Sequence, residues 1–312
     1  MNKLFIYSRL ESFDFPLREA TRKVIWQYAT NKAKQGIVVE IFLLTNRRDY
    51  IERNGIRINY VKRWDLFKLK LKGNIHFITG SVSIWLLIVG WSGKHKQLTL
   101  TDGDMFGYRW RSFRKYIVKL LPYLYDNISV FSEYQRNRLE ISNVTIVKPW
   151  LPDLDLSVRS QRSSSPSMLY MGHLSFFKGV DTILKAFRQI IRVYPDSHLV
   201  IANNSVRGDK ELLEEVERLR REFPNNLVVK GVVNPIEELT SCWVYLYPFK
   251  EAIGTMAFAM SLHEAEVCGT PYVACDVGAN SEFFDIERLI SIDDDRKLVA
   301  IVSKIFDEGA DR

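Results

Sequence analysis

Cysteine is scarce in this chain of 312 residues, which has three, at Cys242, Cys268 and Cys275. The number is odd and the spacing is not that of metal ligands. These two facts exclude a disulfide-stapled secreted scaffold and a cysteine-based zinc module. We expect reduced, buried thiols and a cytoplasmic location.

Long apolar runs are also lacking. The longest, Val82–Trp91, has about half the length that a bilayer-spanning helix needs. The first residues, Met1–Tyr7, have the pattern of a strand and not of a signal peptide. We therefore expect a chain that does not cross a membrane.

Motifs for common cofactors are missing as well. The loop Ser8–Pro16 has no glycine-rich dinucleotide fingerprint, and the sequence contains no P-loop. The five histidines are scattered, which argues against a zinc site and a catalytic triad. The one D-x-D string, Asp102-Gly-Asp104, is better explained as a turn in the first domain than as a metal site. We expect no cofactor and no required metal ion.

Charge is present in excess but unevenly distributed. Residues 1–150 hold 26 Lys and Arg against 12 Asp and Glu, a net charge of +14, whereas the remainder holds 18 against 25, a net charge of −7. A basic half of this kind favours contact with an anionic surface or polymer. Nucleic acid is the poorer explanation, because no recognised nucleic-acid-binding module accompanies the charge.

Two stretches of the basic half, Lys62–Lys72 and Arg109–Leu121, mix Lys and Arg with Trp and Phe. This composition is typical of segments that lie in the headgroup layer of a membrane, so an anionic membrane surface is a predicted partner. The alternative is that both stretches are amphipathic elements whose apolar faces fill the domain core.

The length favours two domains of about 150 residues each. Strands and helices alternate along the whole chain, beginning with strand Leu4–Tyr7, helix Leu17–Lys34 and strand Val38–Leu44, a pattern typical of doubly wound α/β domains. The Ser-rich stretch 157–167 is the clearest linker. We therefore predict domains at residues 1–156 and 168–312.

The segment Gly254–Pro271 has the signals of a helix with two defined ends. Thr255 is the predicted N-cap, and Gly269 with Pro271 is the stop signal. No acidic residue occupies the predicted first turn, which leaves its amides and the positive end of the helix dipole for an anion such as phosphate. The alternative is an ordinary amphipathic helix with a solvated Glu264.

A second candidate phosphate loop follows the strand Met168–Met171. It runs from Gly172 to Asp181 and contains Lys178. A glycine turn between a strand and a helix, with a lysine directed back at it, combines backbone amides with a point charge. The alternative is a surface lysine in a βα loop.

These motifs together resemble glycosyltransferase family 4, whose enzymes have the GT-B fold of two Rossmann-like domains facing a cleft. The run from Glu264 to Ala274, followed by Asp276–Glu282, is similar to the family's E-A-M-A-x-G-T-P-V-V-A…G-G-x-x-E signature. Gly172–Asp181 is similar to its G-R-x-x-x-x-K-G-x-D.

The resemblance implies a nucleotide-sugar site in the second domain. Lys178 and His173, which stands where the family usually has Arg, would hold the diphosphate beside Gly172. The amides of Thr255 and Met256 would share that role. Glu264 would bind the ribose hydroxyls, and the backbone near Val232 would meet the base.

In the first domain, the strand Gln97–Thr101 ends in Thr101-Asp102 where the family commonly has His-Asp, so Asp102 would position the acceptor or sugar. The resemblance thus makes Asp102, Lys178 and Glu264 the predicted catalytic residues. The family's first acidic position falls either on Met256, counted back along one helix, or on Glu251, matched by its local motif. We favour Met256, because five extra residues within a helix would rotate Glu264 by roughly 140°.

The predicted function is metal-independent transfer of a hexose from a UDP- or GDP-sugar, with retention of configuration, to a lipid-linked or glycan acceptor. Another GT-B activity, epimerisation or phosphorolysis, is the enzyme alternative. The missing histidine before Asp102 and the altered acidic pair leave a catalytically degenerate scaffold as the non-enzyme alternative.

Overall fold

The chain is described by a computed structural model, which places residues 3–8, 20–45, 49–62, 74–90, 95–107, 111–202 and 208–310. Contacts divide it into two compact units. The first unit holds Met1–Asp153 and Ala252–Phe258, and the second holds Leu154–Glu251 and Ala259–Arg312. The first division lies close to the predicted domain end at residue 156. The transfer of Ala252–Phe258 to the first unit was not anticipated.

The first unit is built on an eight-stranded sheet in the order β3-β4-β2-β1-β5-β6-β7-β8. All neighbouring strands pair in parallel except β3, which runs antiparallel to β4. The strands are β1 Lys3–Ser8, β2 Val38–Leu44, β3 Asp49–Arg53, β4 Ile56–Val61, β5 Asn74–Thr79, β6 His95–Leu100, β7 Asn127–Val130 and β8 Val144–Ile146. A parallel sheet needs cover on both faces, which the near-continuous apolar strands reflect.

The helices of the first unit are α1 Ala20–Lys34, α2 Trp85–Gly90, α3 Arg111–Leu124 and α4 Glu133–Leu139. Ile25 and Ala29 of α1 pack with β2 and β4 in one buried cluster, and Leu86, Ile117 and Leu121 of α2 and α3 pack in a second. α4 begins at a Ser132 cap whose hydroxyl accepts a hydrogen bond from the Gln135 amide, at 3.1 Å.

The second unit has a six-stranded sheet that is parallel throughout, in the order β11-β10-β9-β12-β13-β14. Its strands are β9 Ser167–Met171, β10 His198–Ala202, β11 Leu227–Lys230, β12 Val244–Tyr247, β13 Tyr272–Cys275 and β14 Leu289–Ile290. Its helices are α5 Val180–Val193, α6 Lys210–Glu222, α7 Pro235–Ser241, α8 Met260–Cys268, α9 Asn280–Phe283 and α10 Asp295–Ala310. The doubly wound prediction is confirmed.

The order reverses at β9, which lies between β10 and β12. In open α/β sheets, ligands bind beyond the carboxyl ends of the strands at such a switch point. The loops after β9 and β12 therefore occupy the position where a site is expected.

Two segments differ from the sequence pattern, and the predicted start of a third is not described. The second helix of the first unit begins at Trp85, three residues into the apolar run that starts at Val82, and the Val82 amide donates to the Met105 carbonyl, at 2.9 Å. Residues 157–167 are not a free linker: the Ser163 carbonyl accepts from the Trp243 indole at 2.8 Å, and the Ser160 amide donates to Thr240. The predicted start of α1 at Leu17 lies outside the described residues.

The helix predicted from Gly254 begins six residues later, at Met260. Ala252–Phe258 instead pairs with the loop after β6. The Ala257 amide donates to the Thr101 carbonyl, and the Gly103 amide donates to the Thr255 carbonyl, both at 2.8 Å. Backbone groups engaged in this pairing cannot also form helical hydrogen bonds, so the local helix signals are overridden.

Candidate functional site

The turn between β9 and α5 is built around Gly179. Its φ of 69° is left-handed, and a Cβ at this position would lie 1.9 Å from the Pro248 carbonyl oxygen. Only glycine allows this approach, which joins the start of α5 to the end of β12. A 3₁₀ turn, Phe176–Lys178, leads into it, and its Phe176 amide donates to Asp209, at 2.7 Å.

Lys178 lies in this turn, with its Nζ 4.0 Å from the centroid of the Phe249 ring and 5.6 Å from that of Phe177. Burial lowers the pKa of Lys178 to about 8. The ion pairs among the described residues include none to Lys178. A largely buried ammonium held on an aromatic face is suited to an anionic ligand.

The end of β12 is fastened to the same turn by Lys250. Its amide donates to the Phe177 carbonyl, at 2.8 Å. Its ammonium pairs with Asp181 in the first turn of α5, at 2.8 Å, and with Asp293, whose carboxylate also accepts from Thr182. Sequence reasoning missed Lys250 and Phe249, although both lie within three residues of the end of the buried strand β12.

Glu251 is the next residue, and its Oε2 is buried without a hydrogen-bond partner among the described residues. An unsatisfied buried carboxylate oxygen is costly, and a ligand that donates a hydrogen bond to it is one explanation. The arrangement gives Glu251 an acceptor atom without a described partner, four residues after the end of β12.

Helix α8 has the features of an anion-binding terminus at its true start. Its N-cap is Ala259, which supplies no side-chain hydrogen bond, and its first turn holds no acidic residue. The first turn of α8 therefore supplies no anion of its own to the positive end of the dipole. Glu264 lies one turn further on and is buried, with 3% of its surface exposed. Burial raises the pKa of Tyr245 on β12. The hydrogen bond with Ser261 opposes this increase, and the charge of Glu264 adds to it.

The preference for Met256 over Glu251 depended on a continuous helix from Met256 to Glu264. That premise is wrong, because α8 begins at Met260. Met256 is buried in the first unit, where its backbone forms an isolated antiparallel β-bridge with Asp102. The Thr255 hydroxyl donates to the Ala252 carbonyl, at 3.0 Å. Neither Thr255 nor Met256 therefore lies at the start of α8. The argument against Glu251, that five extra residues would rotate Glu264 around one continuous helix, no longer applies.

The other residues predicted to bind the nucleotide-sugar are Gly172, His173 and Val232. The Gly172 amide donates to the Ala202 carbonyl, and a Cβ on Gly172 would lie 3.0 Å from the Tyr170 hydroxyl. His173 is exposed, and its carbonyl accepts from that hydroxyl at 2.6 Å. Val232 is exposed and follows β11, which β10 separates from β9 in the sheet. The roles of these three residues stay predictions.

Asp102 follows β6 in the first unit. Its carboxylate covers Gly80, where a Cβ would lie 2.3 Å from either carboxylate oxygen, and its carbonyl accepts from Gln135 at 2.9 Å. Burial, and secondarily the charge of Asp104, raises the pKa of Asp102 to about 7. Asp102 can therefore exchange a proton near neutral pH.

Asp104 has a structural environment. Its carboxylate pairs with Arg138 at 3.1 Å and with Arg111 at 3.4 Å, and it caps the Phe106 amide. Within the described ranges, no group of three or more His, Cys, Asp or Glu side chains is placed to hold a metal ion. None of the helices in those ranges has the length and apolar character needed to cross a bilayer.

Comparison with known proteins identifies the fold and the activity class. Residues 165–308 match the family model described as glycosyl transferases group 1. The chain is a glycosyltransferase with the GT-B fold. No curated protein matches it by sequence.

Several solved glycosyltransferase structures share the fold at low identity. Anabaena Alr3699/HepE, solved with UDP and glucose, is 11% identical with a TM-score of 0.73, covering 99% of this chain and 91% of its own. S. aureus TarM, solved with fondaparinux, alpha-GlcNAc-glycerol and UDP, is 10% identical with a TM-score of 0.71, covering 98% and 93%. The pneumococcal O-GlcNAc transferase GtfA, solved with UDP and GlcNAc, is 12% identical with a TM-score of 0.67, covering 99% and 92%.

Proposed function

We propose that this glycosyltransferase transfers a hexose from a UDP- or GDP-sugar with retention of configuration, without a required metal ion. The observation that supports this most is the grouping beyond β9 and β12 of the second unit. There Lys178 has no carboxylate partner among the described residues, and Glu251 has an unsatisfied oxygen. Similar structures that hold UDP support a nucleotide diphosphate as the leaving group.

The proposed division of work follows from charge. The leaving diphosphate gains negative charge as its bond to the sugar breaks, so a cation and helix amides directed at it would accelerate transfer. Lys178 is the proposed cation, and the amides at the start of α8 replace those of Thr255 and Met256 in this role. Glu264 is proposed to bind the ribose, and Glu251 the hydroxyls of the sugar or ribose.

The acceptor is proposed to be a glycan or a lipid-linked sugar. TarM holds alpha-GlcNAc-glycerol and fondaparinux, which supports an acceptor of this class. Asp102, with its pKa near neutrality, is the proposed acceptor-positioning group. The enzyme would act in the cytoplasm, at the face of a membrane.

A panel of nucleotide sugars tests the donor. Thermal stabilisation by one donor, together with release of its nucleotide, would support the proposal. The anomeric configuration of the product, read by NMR, decides retention. Stabilisation without turnover in the presence of candidate acceptors would favour a scaffold, and a changed sugar without transfer would favour an epimerase.

Matched variants test the residues. We expect Lys178→Met to weaken UDP or GDP binding, while Lys185→Met, an exposed lysine on α5, leaves it unchanged. Glu264→Gln should weaken nucleotide binding, and Glu251→Gln should lower turnover. Unchanged nucleotide affinity in both Lys178→Met and Glu264→Gln would refute the proposed site.

A further inference from the structure

Helix α3 exposes an apolar stripe that the core does not use. Phe113, Tyr116, Leu120 and Tyr123 are 48%, 67%, 48% and 85% exposed. They follow one another at three- or four-residue intervals, so they lie on one side of the helix. Four large apolar side chains in a row on a helix surface mark an interaction surface, whereas single ones would be unremarkable.

The core is filled from a different side of the same helix. Ile117, Val118 and Leu121 are buried among the strands of the first unit, and Arg114 donates to the Phe106 carbonyl. The explanation that the apolar residues of this stretch fill the core therefore accounts for these three and leaves the stripe of Phe113, Tyr116, Leu120 and Tyr123 unexplained.

A basic stripe runs beside the apolar one. Arg111, Lys115 and Lys119 recur every four residues and are exposed, and α3 contains no acidic residue. Lys119 reaches the neighbouring stripe, with its Nζ 5.9 Å from the centroid of the Tyr116 ring. Long basic side chains of this kind can hold their charge in the headgroup layer above inserted apolar groups.

A cavity of about 380 Å³ lies at the basic end of the helix. Its lining includes Arg111 and Lys115 of α3 and Arg138 of α4. Three cations face two carboxylates there, those of Asp104 and Glu140, so the cavity retains positive charge. A phosphate headgroup matches its size and charge.

We propose that α3 docks the first unit on an anionic phospholipid membrane, with the apolar stripe inserted at the acyl boundary and the basic stripe on lipid phosphates. The partner is argued from charge complementarity: residues 1–150 carry a net charge of +14. Tyr and Phe beside Lys and Arg are the residues favoured at membrane interfaces. The inference rests on the proposed lipid-linked acceptor for its purpose in catalysis, whereas docking itself requires neither donor nor acceptor.

Vesicle flotation of the full chain tests docking. We expect binding to vesicles of phosphatidylglycerol and phosphatidylcholine, no binding to phosphatidylcholine alone, and weaker binding at high salt. Tyr116→Ser/Leu120→Ser should weaken binding at least tenfold. Lys115→Gln/Lys119→Gln should weaken it roughly thirtyfold, from about 1 kcal/mol per basic residue near the surface.

Two control variants match these changes. Tyr50→Ser removes an aromatic residue that is 55% exposed on β3, and Lys210→Gln removes an exposed lysine from α6. Both should bind vesicles as the unaltered protein does. Circular dichroism and stabilisation by UDP, read on every variant, establish that the fold and the second unit are intact.

Three outcomes would overturn the inference. One is no binding of the unaltered protein to anionic vesicles, and another is equal binding by the α3 and control variants. The third is an oligomer in light scattering that Tyr116→Ser/Leu120→Ser dissociates, because a second copy would then cover the stripe. Vesicle binding without any stabilisation by nucleotides would refute the proposed function and leave docking intact.

Discussion

Lys178 carries a charge that depends on pH within an accessible range. Burial lowers its pKa from 10.5 to about 8, so the free protein loses this cation as pH rises through 8. We expect UDP affinity to be constant from pH 7 to about 7.5 and to fall steadily towards pH 9.5. Isothermal titration at fixed ionic strength measures this.

Lys178→Met provides the control for that profile. At pH 7 it should bind UDP about 10- to 100-fold more weakly, the loss expected for a hydrogen bond to a charged group. Its affinity should then show little change between pH 7 and 9.5. A profile that stays as steep in Lys178→Met would assign the pH dependence to another residue.

Asp102 gives a second pH dependence, this time in stability, and its pKa is shifted in the opposite direction. Its pKa is raised from 3.8 to about 7, so the folded state binds the proton more tightly than the unfolded state. The stabilisation is fully present below about pH 4 and is lost as pH rises to 7. Asp102→Asn lacks this loss, so its stability relative to the unaltered protein should increase by on the order of 2–4 kcal/mol across that window.

Thermal unfolding midpoints of the two proteins, measured from pH 4 to 8, test this expectation. The midpoint of Asp102→Asn should exceed that of the unaltered protein at pH 8 and approach it at pH 4. Parallel curves would mean that Asp102 is ionised in the folded protein throughout this range.

At the scale of elements, the proposed nucleotide-sugar site depends on the contact between the β9–α5 turn and the end of β12. Gly179→Ala would combine a left-handed φ with a Cβ 1.9 Å from the Pro248 oxygen. We expect a loss of about 3 kcal/mol or more in unfolding free energy, since the conformation alone costs roughly 1–2 kcal/mol. Chemical denaturation of the variant measures the loss.

Gly269→Ala is the matched control in the same unit. Its φ of 72° is nearly the same, but a Cβ there would meet no atom within 4 Å. It should therefore cost about 1–2 kcal/mol only. Equal losses in the two variants would show that α5 does not depend on the close approach to β12.

These elements also show what local sequence can predict. The helix α5 follows Gly179 and keeps its apolar period as far as Val193, and both of these are local signals. The predicted start of α8 was wrong because the residues before Met260 form hydrogen bonds with the Thr101–Asp104 loop, which is remote in sequence. Only tertiary structure brings that loop to Ala252–Phe258.

The candidate site divides in the same way. Lys178 lies in a strand–turn–helix motif, so its place could be predicted. The roles of Lys250 and Glu251 could not be predicted from local sequence. The ion pairs of Lys250 and the unsatisfied oxygen of Glu251 arise only when the chain packs. A motif match alone had suggested Glu251, and the false helix start had set it aside.

The need for a metal ion is a question for the whole molecule, since carboxylates from any element could gather around a cation. Asp104 of the D-x-D string is engaged by Arg111 and Arg138, which leaves that string poorly suited to a divalent ion. Lys178 and the start of α8 offer the positive charge that a cation would otherwise supply to the diphosphate. We therefore expect nucleotide release to stay within twofold of its rate when EDTA is added.

Direct chromatography of the released nucleotide suits this test, because coupling enzymes that need magnesium would respond to EDTA themselves. Lys178→Met sharpens the test: without its cation, the protein should release nucleotide slowly, and added manganese should help it more than it helps the unaltered protein. Activity that disappears in EDTA and returns with manganese in the unaltered protein would instead require a bound cation. The charge on the diphosphate would then be shared between that cation and Lys178.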